Sequence, residues 1–167
     1  MRVWGRRILL AVVAMLAVSQ FIPVARTNPP VDAAQTISET IPVPSGIASI
    51  LGRSCQECHS SQTVWPWYSQ VAPVSWFVAH HVNEGRGELN VSEWGRYTAR
   101  RKDRKLKEIC EQVTSGKMPL ETYTLLHPQA RLSDLDRKAL CDWSETARKN
   151  MAPGVRGAVR GTGDTSP

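Results

Sequence analysis

One short stretch decides how this chain folds: Cys55-Gln56-Glu57-Cys58-His59. Two cysteines three residues apart, followed at once by a histidine, form the attachment pattern for haem c. On a single helical turn both thiols can reach a haem vinyl group and form thioethers, while His59 lies beneath the iron and supplies its proximal nitrogen ligand. The stretch therefore predicts one covalently bound haem c with iron coordinated by His59.

Other chemistries that use this cysteine spacing fit less well. A zinc site needs two further ligands at finger-like spacing, and the sequence contains no second Cys-x-x-Cys. A redox-active cysteine pair of the thioredoxin type is expected in a βαβ setting, which this sequence lacks. A plain disulfide between Cys55 and Cys58 would leave His59 without a role.

The iron of an electron carrier usually takes a second axial ligand from Met or His. Met118 is the first candidate, because the run Gly116-Lys117-Met118-Pro119 predicts a loop that continues neither neighbouring helix. His80, His81 and His127 are its rivals, and the sequence leaves the choice open.

Further residues could lie near the haem, although nothing in the sequence selects among them. Arg86 or Lys117 could pair with the propionates. Aromatic side chains that could pack on the ring follow the motif closely: Trp65, Trp67, Tyr68 and Trp76. Cys110 and Cys141 are a candidate structural disulfide.

Helical patterns recur after residue 44, and no strand-like alternation of useful length appears. Four helices are predicted: from Ser45 toward Cys58, over 74–84 closed by Gly85, over 90–113, and from Ser133 onward. The fold class expected is an all-α, cytochrome c-like domain behind one N-terminal transmembrane helix.

The N-terminus has the features of a membrane anchor. Residues 8–25 carry no charge, and Arg2, Arg6 and Arg7 precede them. Eighteen such residues reach the lower limit for a spanning helix, and the arginines favour a cytoplasmic N-terminus. We therefore expect a single-pass protein of the bacterial inner membrane with its C-terminal domain in the periplasm. A signal peptide cleaved near Ala17-Val18-Ser19 is the alternative.

Composition divides the chain into four segments. These are a membrane anchor over 1–26, a Pro-rich linker over 27–44, a haem c-binding domain over 45–150 and a disordered tail over 151–167. The net charge of +6 is concentrated at the N-terminus, and residues 53–150 hold 15 basic against 12 acidic side chains. This mild excess gives no case for nucleic-acid binding.

Several longer motifs carry a resemblance to a known family. They are Cys55-Gln56-Glu57-Cys58-His59-Ser60-Ser61-Gln62-Thr63, Trp65-Pro66-Trp67-Tyr68, Ala72-Pro73-Val74-Ser75-Trp76, His80-His81-Val82-Asn83-Glu84-Gly85-Arg86 and Gly116-Lys117-Met118-Pro119. Over residues 50–147 the sequence resembles the bacterial haem-binding domain family, which comprises small membrane-anchored monohaem proteins related to c-type cytochromes. The stretch 118–143 is also similar to class I cytochromes c. The resemblance implies haem attachment at Cys55 and Cys58, with His59 as proximal and Met118 as distal ligand.

The function expected is one-electron transfer by a membrane-tethered, periplasmic monohaem cytochrome, with redox partner proteins in or at the membrane. A peroxidase-like haem enzyme or a haem-based ligand sensor with an open or labile distal site is the alternative. The Met-Pro loop argues for a closed site, and therefore for an electron carrier over a catalyst.

Overall fold

Helices supply all the regular secondary structure in this computed structural model, which describes residues 2–160. The α-helices are α1 (Arg2–Ser19), α2 (Ile37–Thr40), α3 (Ser45–Ser54), α4 (Gln56–His59), α5 (Val74–Glu88), α6 (Ala99–Thr114), α7 (Glu121–Leu126) and α8 (Asp134–Arg160). Short 3-10 helices span Ala33–Gln35, Trp67–Gln70, Val91–Arg96 and Pro128–Ala130. Residues 2–160 contain no strand, as expected for an all-α chain.

The core lies where α6 and α8 pack together and α3 meets them. Leu106 of α6, Leu140 of α8 and Trp94 are completely buried, and Ile50 and Leu51 of α3 belong to the same hydrophobic cluster. Burial of a leucine side chain contributes about 1.5–3 kcal/mol. A disulfide of 2.03 Å between Cys110 and Cys141 joins α6 to α8 behind this core.

The third predicted helix is divided in two. The side chain of Asn90 accepts a hydrogen bond from Ser92 N at 3.0 Å and caps the 3-10 helix, not an α-helix. The backbone is extended at Tyr97, and Thr98 then caps α6 by accepting from Arg101 N at 3.3 Å. The N-cap of the long helix is therefore Thr98, whereas the sequence predicted it at Asn90.

The predicted transmembrane helix is wrong, because α1 includes all three N-terminal arginines and ends at Ser19. Its uncharged part runs from Ile8 to Ser19, twelve residues or roughly 18 Å, against a hydrocarbon core of about 30 Å. Gln20, just after α1, exchanges two hydrogen bonds of 3.0 Å with the backbone of Ala72. Among residues 2–160, no helix combines the length and apolarity that crossing a bilayer requires. This finding also contradicts the predicted single-pass inner-membrane location with a periplasmic domain.

The structure adds detail to two of the predicted segments. Residues 27–44, expected as an extended spacer, include α2, and Ile37 of that helix is buried in the core with 2% exposure. Within the expected disordered tail, α8 continues to Arg160, and residues 161–167 lie outside the described part of the chain.

Candidate functional site

The Cys-x-x-Cys-His stretch forms a single helical turn at the end of α3. Cys55 N still donates to Leu51 O at 2.9 Å, but φ of −129° at Cys55 turns the chain out of α3. His59 N then donates to Cys55 O at 2.9 Å and closes α4. Both thiols and the imidazole are thus carried on one turn, as the attachment pattern requires.

The two thiols are free and are not joined to each other. Burial raises the pKa of Cys55 to about 12, and burial together with the neighbouring Glu57 carboxylate raises the pKa of Cys58. Both sulfurs therefore stay protonated near neutral pH. Thiol–disulfide exchange needs a thiolate, so this environment is unlike that of a redox-active cysteine pair.

The end of α5 fixes the His59 ring. His59 Nδ1 lies 2.8 Å from Gly85 O and 3.1 Å from Leu89 O. Because both partners are carbonyl oxygens, Nδ1 carries the proton and Nε2 presents a lone pair. Burial lowers the pKa of His59, which keeps the ring neutral and able to coordinate a metal.

Gly85 allows α5 to come this close. A Cβ at this position would lie 2.6 Å from Cys58 O and 3.2 Å from Cys58 Cβ. Any larger residue would push α5 off the cysteine turn and pull the Gly85 carbonyl away from His59. The second predicted helix was expected to end at Gly85, whereas α5 continues to Glu88.

Met118 reaches the same region through the turn that ends α6. Gly116 adopts φ of +71°, which suits glycine, and the amides of Lys117 and Met118 both donate to Gln112 O at 3.1 and 3.2 Å. Met118 is consequently half-buried and faces the cysteine turn across a cavity.

This central cavity has a volume of about 470 Å³ and brings all four predicted haem residues together: Cys55, Cys58, His59 and Met118. A second compartment of about 270 Å³ shares Cys55, His59 and Met118 and extends inward between Leu51 and Val113. Cofactor sites commonly occupy about 300–1,000 Å³ of mainly apolar space with a few placed polar groups. With two thiols, one neutral imidazole and one thioether around them, the compartments fit an iron porphyrin in both size and donor chemistry.

The rival histidines occupy three different settings. His80 is exposed and lies 3.2 Å from the Glu84 carboxylate. His127 Nε2 lies 2.7 Å from Tyr68 Oη. His81 lines the central cavity, and its Nδ1 donates to Phe77 O at 2.9 Å, so that Nε2 carries the lone pair; no hydrogen bond within the described part of the chain reaches it. Of the three rivals, the structure thus brings His81 alone to the cavity that Met118 lines.

Arg86 holds the loop that follows the cysteine turn. Its guanidinium donates to Ser60 O at 2.7 Å and to Thr63 Oγ1 at 2.9 Å. The same group reaches Thr27 O and Asn28 Oδ1, at 2.8 and 2.7 Å. Arg86, one of the two residues that could have paired with a propionate, is therefore engaged with the protein itself.

A buried network of hydrogen bonds, which was not predicted from the sequence, also holds the loop after the cysteine turn. Asn90 Nδ2 donates to Ser61 Oγ, Ser61 N donates to Ser92 Oγ, and Asn90 N donates to Tyr97 Oη, over 2.8–3.1 Å. The sequence signals that could have indicated this network are the small polar residues Ser60 and Ser61 after His59 and the pair Tyr97-Thr98 before α6.

The aromatic residues after the motif lie mostly away from the cavities. Trp67 is 79% exposed, and Trp76 Nε1 donates to Ile22 O at 3.3 Å. Trp65 has a buried indole N–H for which the described residues provide no acceptor. Tyr68 lines a third cavity, beside Cys58.

An all-helical domain with this turn, neutral imidazole and cavity belongs to the class of haem-binding proteins. The comparison with family models agrees, since the model described as "Haem-binding domain" matches residues 14–146. The chain therefore belongs to the haem-binding domain family. No curated protein and no solved structure matched the chain.

Proposed function

We propose that this protein is a monohaem c-type cytochrome that transfers single electrons between partner proteins. Cys55 and Cys58 would hold the haem through thioethers, and His59 Nε2 and Met118 Sδ would be its axial ligands. When bound, the haem supplies one-electron exchange between its ferrous and ferric states.

The state of His59 carries this proposal. Two carbonyl oxygens hold Nδ1, at 2.8 and 3.1 Å, and within residues 3–151 no hydrogen bond reaches Nε2. Histidines that bind metals are commonly fixed in this way, because a hydrogen bond at one nitrogen sets the tautomer and raises the basicity of the other. The carbonyls at the end of α5 are thus positioned to orient His59 toward the central cavity.

Met118 supports electron transfer over catalysis. With Met118 as well as His59 holding the iron, neither oxidation state would need a new ligand. The Gly116 turn and the two bonds to Gln112 O fix the Met118 backbone beside the cavity. Two ligands held in place before the haem changes its oxidation state would limit rearrangement during electron transfer.

His81 is the residue that supports the alternative function, a haem enzyme or a ligand sensor. Its bare Nε2 shares the central cavity with Met118 and could act as an acid–base group or as a distal ligand. A peroxidase-like enzyme or a ligand sensor would use it with an open or labile sixth site.

Two measurements on the purified haem protein test this proposal. A potentiometric titration should be reversible and follow a one-electron curve, and carbon monoxide should not change the spectrum of the reduced protein. Ready binding of carbon monoxide would reject the electron-carrier assignment in favour of the enzyme or sensor.

A further inference from the structure

Lys105 of α6 carries a buried charge that the proposed function does not use. Its side chain is only 7% exposed, and lysines are rarely so buried unless they are paired. It lines the second compartment of about 270 Å³ together with Cys55, His59 and Met118. The charge of Lys105 is therefore carried on the wall of a cavity that fits the haem, whereas nearby Lys107 is exposed to solvent.

Two carboxylates of the same compartment hold the Lys105 ammonium. Lys105 Nζ lies 3.1 Å from Glu88 Oε2 and 2.6 Å from Glu108 Oε2, and the exposed Arg104 lies 3.5 Å from Glu108 Oε1. Burial lowers the pKa of Lys105, but the hydrogen bonds to Glu108 and Glu88 outweigh it and raise the pKa above its ordinary value. The hydrogen bond and the charge of Lys105 lower the pKa of Glu88. Lys105 and Glu88 therefore both stay charged near neutral pH.

The ion pair lies where α5 holds the His59 ring. Glu88 is the last residue of α5, and the next residue, Leu89, provides a carbonyl oxygen 3.1 Å from His59 Nδ1. Both charges act on the imidazole. Burial is the main cause that lowers the pKa of His59; the charge of Lys105 lowers it further, and the charge of Glu88 opposes this. A buried ion pair contributes little net stability, because desolvation offsets the attraction, so packing alone does not account for Lys105.

We propose that Lys105 sets the reduction potential of the haem iron by holding a positive charge beside it, with Glu88 as the opposing charge. A nearby positive charge favours the ferrous state over the ferric state, which carries one more positive charge, and a negative charge does the reverse. Lys105 is shielded from solvent, whereas Glu88 is 79% exposed and its charge is more strongly screened. The inference rests on the proposed function, because it requires the haem in these compartments.

Potentiometric titration of the full-length haem-loaded protein tests the inference. Lys105→Met should lower the equilibrium constant for reduction about tenfold, which is a downward shift of about 59 mV for a one-electron couple. Glu88→Gln, which keeps an acceptor for Lys105, should raise the potential by a smaller amount. The opposite signs are decisive, because a general loosening that admits water to the haem would shift both potentials in the same direction.

Two further variants separate the charge of Lys105 from its place in the fold. Lys107→Met removes the same charge from α6, but Lys107 is 59% exposed, lies 3.2 Å from Glu111 and lines none of the three cavities. It should change the equilibrium constant by less than about twofold, and high salt should abolish this change while leaving that of Lys105→Met. Lys105→Arg keeps the charge and should keep the wild-type potential.

Shifts of one sign for Lys105→Met and Glu88→Gln, or equal shifts for Lys105→Met and Lys107→Met, would overturn the inference. If Lys105→Met does not fold, Glu88→Gln decides, because an unchanged or lowered potential in that variant also overturns it. A wild type without haem absorbance would contradict the proposed function and this inference with it. A haem-loaded wild type with a reversible one-electron titration, but without the expected shifts in its variants, would contradict the inference alone.

Discussion

Gly85 O lies 2.8 Å from His59 Nδ1, although 26 residues separate the two in sequence. The same glycine brings α5 against the backbone of Cys58. One residue thus sets both the orientation of the candidate iron ligand and the packing behind the candidate attachment site. The close approach of α5 to α4 is the contact on which the geometry of the site depends.

Gly85→Ala is the substitution that tests this contact. The added Cβ would lie 2.6 Å from Cys58 O, so α5 must shift. We expect the free energy of unfolding to fall by about 1–3 kcal/mol, as in other overpacked sites. Urea denaturation measures this change.

Gly46→Ala is the control for that experiment, because a Cβ at Gly46 meets no atom within 4 Å. Its stability should stay equal to that of the wild type or rise slightly, since alanine is the better helix former. If the two substitutions change the free energy of unfolding equally, the close approach of α5 to α4 does not depend on Gly85.

Met118→Ala tests the sixth ligand. Loss of the thioether should abolish the weak red charge-transfer band expected from a sulfur–iron bond in the oxidised protein. It should also allow carbon monoxide to bind the reduced form. Absorption spectroscopy records both.

Met151→Ala serves as the matched control, because Met151 packs against the core and lines none of the three cavities. Its spectrum should equal that of the wild type. If Met118→Ala keeps the wild-type spectrum while His81→Ala changes it, the distal ligand is His81.

Arg86→Ala should destabilise the loop after the cysteine turn. The substitution removes four hydrogen bonds of 2.7–2.9 Å from one guanidinium and leaves Ser60 O short of a donor. We expect a loss of roughly 2–3 kcal/mol in chemical denaturation, since bonds to charged groups contribute more than neutral ones. Arg104→Ala, which removes one exposed contact of 3.5 Å to Glu108, should cost under about 1 kcal/mol.

Helix ends, which are determined by residues close together in the chain, could be predicted from the sequence. Ser133 and Asp136 form the expected capping box, with Ser133 N and Oγ donating to Asp136 Oδ2 at 2.9 and 2.8 Å. Gly116 ends α6 with a positive φ, as its position suggested. These signals act within a few residues, so they can be read from the chain alone.

Features that depend on distant contacts could not be read in this way. The carbonyl partners of His59 lie 26 and 30 residues away, and Arg86 contacts the chain near residues 27 and 60. The N-terminal error has a local cause. The uncharged run was counted to Ala25, whereas the helix ends at Ser19, ahead of Pro23.

Acid should weaken the junction between α3 and α8. Hydrogen bonds from Ser133 and the guanidinium of Arg53, 2.8 Å from Asp136 Oδ1, lower the pKa of Asp136. A carboxyl with a lowered folded-state pKa adds stability above its unfolded value, near pH 4, and loses it as the pH falls through the folded value. Between pH 6 and pH 2.5, the wild type should therefore lose more stability in urea than Asp136→Asn does. Asp134→Asn, at a fully exposed position, should behave as the wild type.

The mass of the intact, denatured protein tests the central claim most directly. Expressed in a host that assembles c-type cytochromes, the wild type should exceed its polypeptide mass by one haem, and the variant with Cys55→Ala and Cys58→Ala should not. A wild-type mass equal to that of the bare polypeptide would contradict covalent attachment at these two cysteines.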